Sequence, residues 1–237
     1  MNDKVYRFVD KLIRFVYPDR CPICDEIIPI NKEYCSCTRY DNIKISENYC
    51  RHCGSNIERC SCNAENSFYL PDIAAVYLYR GRARADILNL KFNNRKRLSV
   101  KLGREMAERC AIVYCDVDFD AVAFVPMSKE AQLKRGYNQG ELLAKEIGKV
   151  FFLPVEPMLE KIKNTAPQHE LKGKERVENL RGSIILNENA DVKGKTILLC
   201  DDVKTTGATL SQCVRILEEN GAERVCCICV AVTDFIK

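Results

Sequence analysis

The stretch that most constrains this chain is Ile197-Leu198-Leu199-Cys200-Asp201-Asp202-Val203-Lys204-Thr205-Thr206-Gly207-Ala208-Thr209-Leu210. Its four leading apolar residues read as a buried strand that two adjacent carboxylates end. Hydroxyls flanking a glycine follow, and the spacing of Leu210, Val214 and Leu217 then predicts an amphipathic helix. Backbone N–H groups at a helix start have no intrahelical partners and carry partial positive charge, so a loop turned by Gly207 can wrap a phosphate. Thr205, Thr206 and Thr209 add hydroxyl donors. Asp201 and Asp202 gain nothing beside a phosphate. Their natural partners are the two hydroxyls of a ribose, directly or through Mg²⁺. Together these residues describe a sugar bearing a 5-phosphate. A turn that merely caps a helix is the simpler alternative, although capping needs only one Asp or Thr. A Walker phosphate loop is excluded, because G-x-x-x-x-G-K-[ST] is missing.

Residues 73–79, 121–125, 197–200 and 225–232 read as strands, and helical patterns cover 130–151 and 210–220, with Gly221 as a stop. That alternation predicts an α/β domain with a mostly parallel sheet. Ligands of such sheets bind at the carboxyl ends of the strands, where Asp201 lies. The 237 residues suit one medium domain plus a small appendage. Nothing in the sequence resembles a membrane span or a secretory signal. Val5, Phe8, Val9, Leu12, Ile13 and Val16 predict an amphipathic helix over 1–19 that packs on the protein; a membrane-surface or partner-binding helix is the sharper alternative.

Fifteen cysteines would suit a small secreted scaffold, but these cluster rather than spread, which points to metal ligation in a reducing cytoplasm. Cys21-Pro22-Ile23-Cys24 and Cys50-Arg51-His52-Cys53 are knuckles of the zinc-ribbon type, and each is followed by a Cys-Ser-Cys. The expected sites are Cys21, Cys24, Cys35 and Cys37 for one structural Zn²⁺, and Cys50, Cys53, Cys60 and Cys62 for a second. Because C-x-C is a tight bite, His52 could replace one of its sulfurs. A crossed set of Cys21, Cys24, Cys50 and Cys53 also fits the spacing. The net charge of +4 hides a strip from Arg80 to Arg104, with nine Lys or Arg residues. It suits a polyanion such as pyrophosphate or a nucleic-acid backbone, and a solvated helix face accounts for it equally well.

The segment around Asp201 resembles the PRPP-binding motif (PRPP, phosphoribosyl pyrophosphate) of type I phosphoribosyltransferases, in which two acidic residues precede T-T-G-x-T. Leu90-Lys91-Phe92, Lys134-Arg135-Gly136-Tyr137-Asn138-Gln139, and Gln168 with Arg176-Val177-Glu178-Asn179-Leu180 precede it in the order seen in ComF-type proteins. Those also carry an amino-terminal cysteine ribbon. The resemblance implies a type I phosphoribosyltransferase fold over 67–237, a zinc-ribbon module over 20–66, and binding of PRPP with Mg²⁺. It gives that binding to Asp201, Asp202, Val203, Lys204, Thr205, Thr206, Gly207, Ala208 and Thr209. Met127, Ser128 and Lys129 would take the pyrophosphate, where an ordinary strand-to-helix turn is the alternative. Lys204 stands at a variable position whose side chain is expected to point away from the ligand. Lys91 and Arg135 are the implied catalytic cations beside Asp201 and Asp202, with Asn138, Gln139, Gln168 and Arg176 lining the cleft and 161–174 forming a flap. The reaction class would be displacement of pyrophosphate at C1 of PRPP by a nitrogen nucleophile that no residue identifies. The signature is most like the PRPP half of glutamine amidophosphoribosyltransferases. No second large domain to release ammonia is expected, so purine amination is not its expected task. The resemblance further implies a link to natural competence, with single-stranded DNA and the competence machinery as partners. The location would be cytoplasmic, and any membrane association would run through that machinery. Three readings stay open: a transferase, a PRPP-binding accessory factor, and a single-stranded nucleic-acid binder.

Overall fold

The computed structural model describes Ile27, residues 43–60, Cys62, Leu70, residues 72–162 and residues 183–233. The expected helix over 1–19, Gln168 and Arg176, and most of the expected flap lie outside them. The chain divides into two compact units, Met1–Asn42 and Ile43–Lys237. The second holds every element below.

Five parallel strands form its centre, in the order β1-β7-β6-β2-β3: β1 Ile73–Leu78, β2 Ala121–Phe124, β3 Val155–Glu156, β6 Thr196–Lys204 and β7 Arg224–Val232. β1, β2 and most of β6 and β7 are continuous apolar runs because helices cover both faces of a parallel sheet. Ile197, Leu198, Leu199 and Cys200 are all fully buried. The helices are α1 Gly81–Phe92, α2 Leu98–Val113, α3 Lys129–Arg135, α4 Gln139–Phe151 and α5 Ala208–Glu219. Gly103 lets α2 approach α4 closely, since a Cβ there would lie 2.5 Å from Glu146 Cβ. A separate antiparallel pair, β4 Leu159–Lys161 and β5 Ile184–Leu186, stands apart from the main sheet.

The expected α/β architecture is present, with two differences that shape the site. β6 does not stop at Cys200. It stays paired with β7 through Asp201↔Cys229, Val203↔Ala231 and Lys204↔Val232, so the two carboxylates lie inside the ladder. The helix expected over 130–151 is two helices. Gly136 closes the first in a left-handed conformation (φ 80°). Asn138 opens the second, its side chain accepting from the Gly140 N–H at 2.8 Å and donating to the Val125 carbonyl at 3.1 Å. That break aims Gln139 at the carboxyl ends of β2 and β6.

Candidate functional site

A cavity of about 250 Å³ opens at the carboxyl end of β6, lined by Asp201, Asp202, Lys204, the loop Thr205–Thr209, Tyr79, Lys91, Val125, Gln139 and Lys161, among others. The strand pleat puts Asp202 and Lys204 on one face and Asp201 and Val203 on the other. Asp202 is almost wholly buried, and its Oδ1 accepts the Lys91 ammonium at 2.7 Å. Lys91 reaches it from the last turn of α1. Its burial opposes the charge, but Asp202, with Asp201 behind it, more than offsets this and holds the ammonium above the ordinary lysine range. The second oxygen of Asp202, Oδ2, is buried without a hydrogen-bond partner among the described residues. Asp201 keeps an opening to the cavity. Burial, and then the neighbouring charge of Asp202, push its pKa up to about 8, against the opposing pull of Lys91 and the Asp202 N–H that its Oδ1 accepts at 2.7 Å. Two crowded carboxylates, one with an orphaned oxygen, form an acceptor set that fits the hydroxyls of a ribose or a hard cation.

The loop that follows, Thr205–Thr209, forms a cradle at a helix start, an arrangement that can wrap an anion. Gly207 is left-handed (φ 92°) and opens α5, which begins at Ala208, two residues earlier than the apolar spacing alone indicates. Thr206 Oγ1 accepts from Ala208 N–H at 3.4 Å. The side chain of Lys204 does not turn away as expected. The residue is 5% exposed, it lines the cavity, and its stem lies across Gly207.

Met127 and Lys129 do not reach this cavity. They line a second one of about 260 Å³ over β2 and β3, with Pro126, Asn138, Glu141, Glu160 and others, and Lys161 borders both. Lys129 is held by Glu160 at 2.9 Å, and Ser128 caps α3 by accepting from Ala131 N–H at 3.3 Å. Arg135 stands outside the first cavity. It donates to Gln139 Oε1 and lies 5.1 Å above the Phe92 ring. Of the implied catalytic cations, Lys91 therefore meets the carboxylates directly, whereas Arg135 touches the cavity only through Gln139.

The Sγ atoms of Cys50, Cys53, Cys60 and Cys62 lie within 4.8 Å of one another, with those of Cys53 and Cys60 3.8 Å apart. A tetrahedral ion with bonds of about 2.3 Å to sulfur needs an edge of about 3.8 Å, so the four residues fit a zinc-sized metal. Burial opposes a thiolate at Cys50, but the N–H groups of Cys53 and His52 and the neighbouring thiols donate to it and hold its pKa below the ordinary range. Both sulfurs of the C-x-C join the cluster, and His52 is not part of it. Cys21, Cys24, Cys35 and Cys37 lie outside the described residues. The knuckle is fastened to β1: Ile73 N–H donates to the Arg51 carbonyl at 2.8 Å, and Arg51 pairs with Asp72 at 2.9 Å.

A phosphoribosyl transferase domain model matches residues 137–234, which take in α4, β6, the cradle and β7. Competence protein ComFC of Bacillus subtilis is 30% identical over 172 residues, covering 73% of this chain and 67% of that one. The chain belongs to the ComF family. Competence protein F of Haemophilus influenzae is 27% identical over 187 residues, 75% of this chain and 81% of that protein. Among solved structures, the purine phosphoribosyltransferase of Pyrococcus horikoshii is 16% identical, covering 56% of this chain and 70% of that one with a TM-score of 0.37.

This ComF-family chain carries a type I phosphoribosyltransferase fold, and its basic strip is divided by that fold. Arg82 is drawn to Asp86 at 3.0 Å, Lys101 to Glu105 at 3.7 Å, and Lys91 inward to Asp202. Arg84, Arg97 and Arg104 stay exposed, and Lys96 lies over the Tyr137 ring at 4.7 Å. Phe92, 68% exposed, lies under Arg135, and the Tyr137 hydroxyl donates to the Leu90 carbonyl. The sequence reading missed this grouping, because α1, the turn before α2, and the α3–α4 break converge only in the fold. Among the described residues no helix is long and apolar enough to cross a membrane.

Proposed function

We propose that this ComF-family protein binds PRPP with Mg²⁺ in the cavity above β6 and serves the handling of incoming DNA, the task that the competence names of its relatives suggest. One observation carries the reading: a buried Asp202 with an orphaned oxygen, Asp201 and a hydroxyl-rich left-handed loop at a helix start converge on one cavity. The segment Asp201–Thr209 then divides by chemistry. The carboxylates orient the ribose hydroxyls, and the N–H groups and threonine hydroxyls of the cradle hold the 5-phosphate. Mg²⁺, when bound, would screen the pyrophosphate and stabilise it as a leaving group. Lys91 pairs with Asp202 and fixes its place, and Gln139, steadied by Arg135, faces the ligand from α4. These groups orient C1 and stabilise charge without a covalent enzyme bond, as pentosyl transfer to a nitrogen acceptor requires. The cysteine cluster of the second ribbon holds structural Zn²⁺ in this reading, and the cytoplasm, where thiols stay reduced, is the compartment.

A second reading adds single-stranded DNA, and the surface around Phe92 favours it. The exposed Phe92 ring beneath Arg135, with Lys96, Arg97 and Lys134 also exposed, offers both stacking and charge. Affinity for an oligonucleotide that falls steeply with salt, and falls further in Phe92→Ala and in charge reversal at Arg95, Lys96 and Arg97, is its test. For the primary reading, Mg²⁺·PRPP is titrated calorimetrically into zinc-loaded protein and into Asp201→Asn/Asp202→Asn. Saturable binding lost in the variant supports the assignment. A parent that does not bind removes it and leaves the oligonucleotide surface as the functional candidate. Pyrophosphate release over a panel of nitrogen nucleophiles then separates a transferase from a binding factor.

A further inference from the structure

We infer that Lys204 is a ligand-binding residue whose ammonium neutralises the terminal phosphate of a ribose 5-phosphate monoester, a role that rests on the PRPP reading and extends it. Lys204 ends β6 directly before the cradle, on the same face as Asp202. It is 95% buried by its 5% residual exposure, and it lines the same cavity as Thr205–Thr209. A Cβ at Gly207 would lie 3.2 Å from Lys204 Cε and 3.9 Å from its Cγ, so the stem runs along the inner wall of the cradle rather than out to solvent. Among the described residues no hydrogen-bonding or ionic partner meets its ammonium. The other cation on this face, Lys91, is already committed to Asp202 at 2.7 Å.

The stem of Lys204 is packed while its ammonium keeps access to the cavity, where a bound anion can pair with it. Here the anion's place is defined by independent features: the start of the twelve-residue helix α5, the left-handed Gly207 and three threonine hydroxyls. The carboxylates precede the loop on β6 and suit hydroxyls. Charge in the site is thereby sorted into a negative end for the ribose ring and a positive end for its 5-phosphate. The class of ligand follows. The cavity selects ribose carrying a dianionic phosphate monoester at O5, and it takes ribose 5-phosphate itself, without pyrophosphate. Ribose and its 5-phosphodiesters are excluded.

The experiment uses full-length zinc-loaded protein, with ribose 5-phosphate and Mg²⁺·PRPP as separate probes at several salt concentrations. A charge-assisted hydrogen bond lost from a buried site corresponds to about a ten- to hundredfold weaker affinity. Lys204→Met is expected to weaken both probes by the same factor within that range and to flatten the salt dependence of ribose 5-phosphate binding, while Lys204→Arg retains most of the affinity. Thermal melts of the two variants show whether the fold is kept; Lys204→Gln, which preserves the stem, stands in if the methionine variant unfolds. Parent-like affinity for ribose 5-phosphate in a folded Lys204→Met or Lys204→Gln overturns the inference and reduces Lys204 to a packing residue. A parent that binds neither probe overturns the PRPP reading itself, an outcome visible before any variant is examined. Loss of PRPP affinity with ribose 5-phosphate affinity unchanged also overturns it, by moving the ammonium to the pyrophosphate.

Discussion

Removing Lys91 should destabilise this protein more than removing the carboxylate it holds, and removing both should restore part of the loss. Asp202 has a side chain only 3% exposed, whereas Lys91 is 22% exposed at its end of the 2.7 Å contact. Lys91→Met strands a carboxylate that already has one oxygen without a partner. Breaking a buried pair this way costs roughly 3–5 kcal/mol, and the opening at the lysine end puts the expected loss near the lower limit, about 3 kcal/mol. Asp202→Asn leaves an ammonium that can lean toward the cavity and should cost about 1 kcal/mol, in the range of an ordinary hydrogen bond. Independent effects would then sum to about 4 kcal/mol in the double variant. The pair instead predicts about 2 kcal/mol for Lys91→Met/Asp202→Asn, since neither charge is left alone, so the double variant should be more stable than Lys91→Met. Urea unfolding at neutral pH measures this directly. With a slope of about 2 kcal/mol per molar, Lys91→Met moves the midpoint by roughly 1.5 M and the double variant by roughly 1 M. Single-variant losses that add within about 0.5 kcal/mol would show that the two groups do not share a desolvated contact, and the electrostatic account of the site would fail with it.

The raised Asp201 pKa gives stability a definite pH dependence. The folded state holds this proton up to about pH 8 and the unfolded chain releases it near pH 4, so the parent loses stability relative to Asp201→Asn as pH rises through that window. The advantage of the variant should grow between pH 5 and 8 and level off above; an advantage that stays constant with pH would refute the assignment. Cys60→Ser should remove one equivalent of bound zinc by atomic absorption and lower the melting temperature, because the knuckle it closes is tied to β1 through Arg51 and Ile73; unchanged zinc content would mean that the metal sits elsewhere. Gly103→Ala places a methyl 2.5 Å from Glu146 Cβ and should cost about 1–3 kcal/mol by forcing α2 from α4, while PRPP affinity in the folded variant stays at the parent value. A loss of affinity without a loss of stability would show that the helix pair shapes the cavity.

What could be read from the chain in advance follows the range of the forces involved. The apolar run before Asp201, the left-handed glycine and the helix start are local, and they lie where the spacing of residues puts them. The cysteine knuckle is equally local, since ligands two residues apart leave little freedom around one ion. The continuation of β6 through Asp201 and Asp202 was not legible. Carboxylates are poor strand residues, and the charge that keeps Asp202 in the ladder arrives with Lys91 from a helix more than a hundred positions earlier. Lys204 was misjudged for a related reason. A lysine beside a ligand loop is ordinarily taken as solvent-facing, yet the two-residue period that buries Cys200 and Asp202 carries Lys204 to the same face. The same long-range logic separates the implied pyrophosphate residues from Asp201 and Asp202. Met127 and Lys129 follow β2, which neighbours β6, but the Asn138 cap and the β4–β5 arm turn them toward the second cavity. Lys161 is the residue that borders both spaces, and burial lowers its pKa. A pyrophosphate bridging from C1 toward Lys129 would have to pass Lys161. Substituting Lys161 by Met should therefore weaken PRPP while sparing ribose 5-phosphate, the reverse of the pattern expected at Lys204, and equal effects on both probes would show that the two cavities do not act on one ligand.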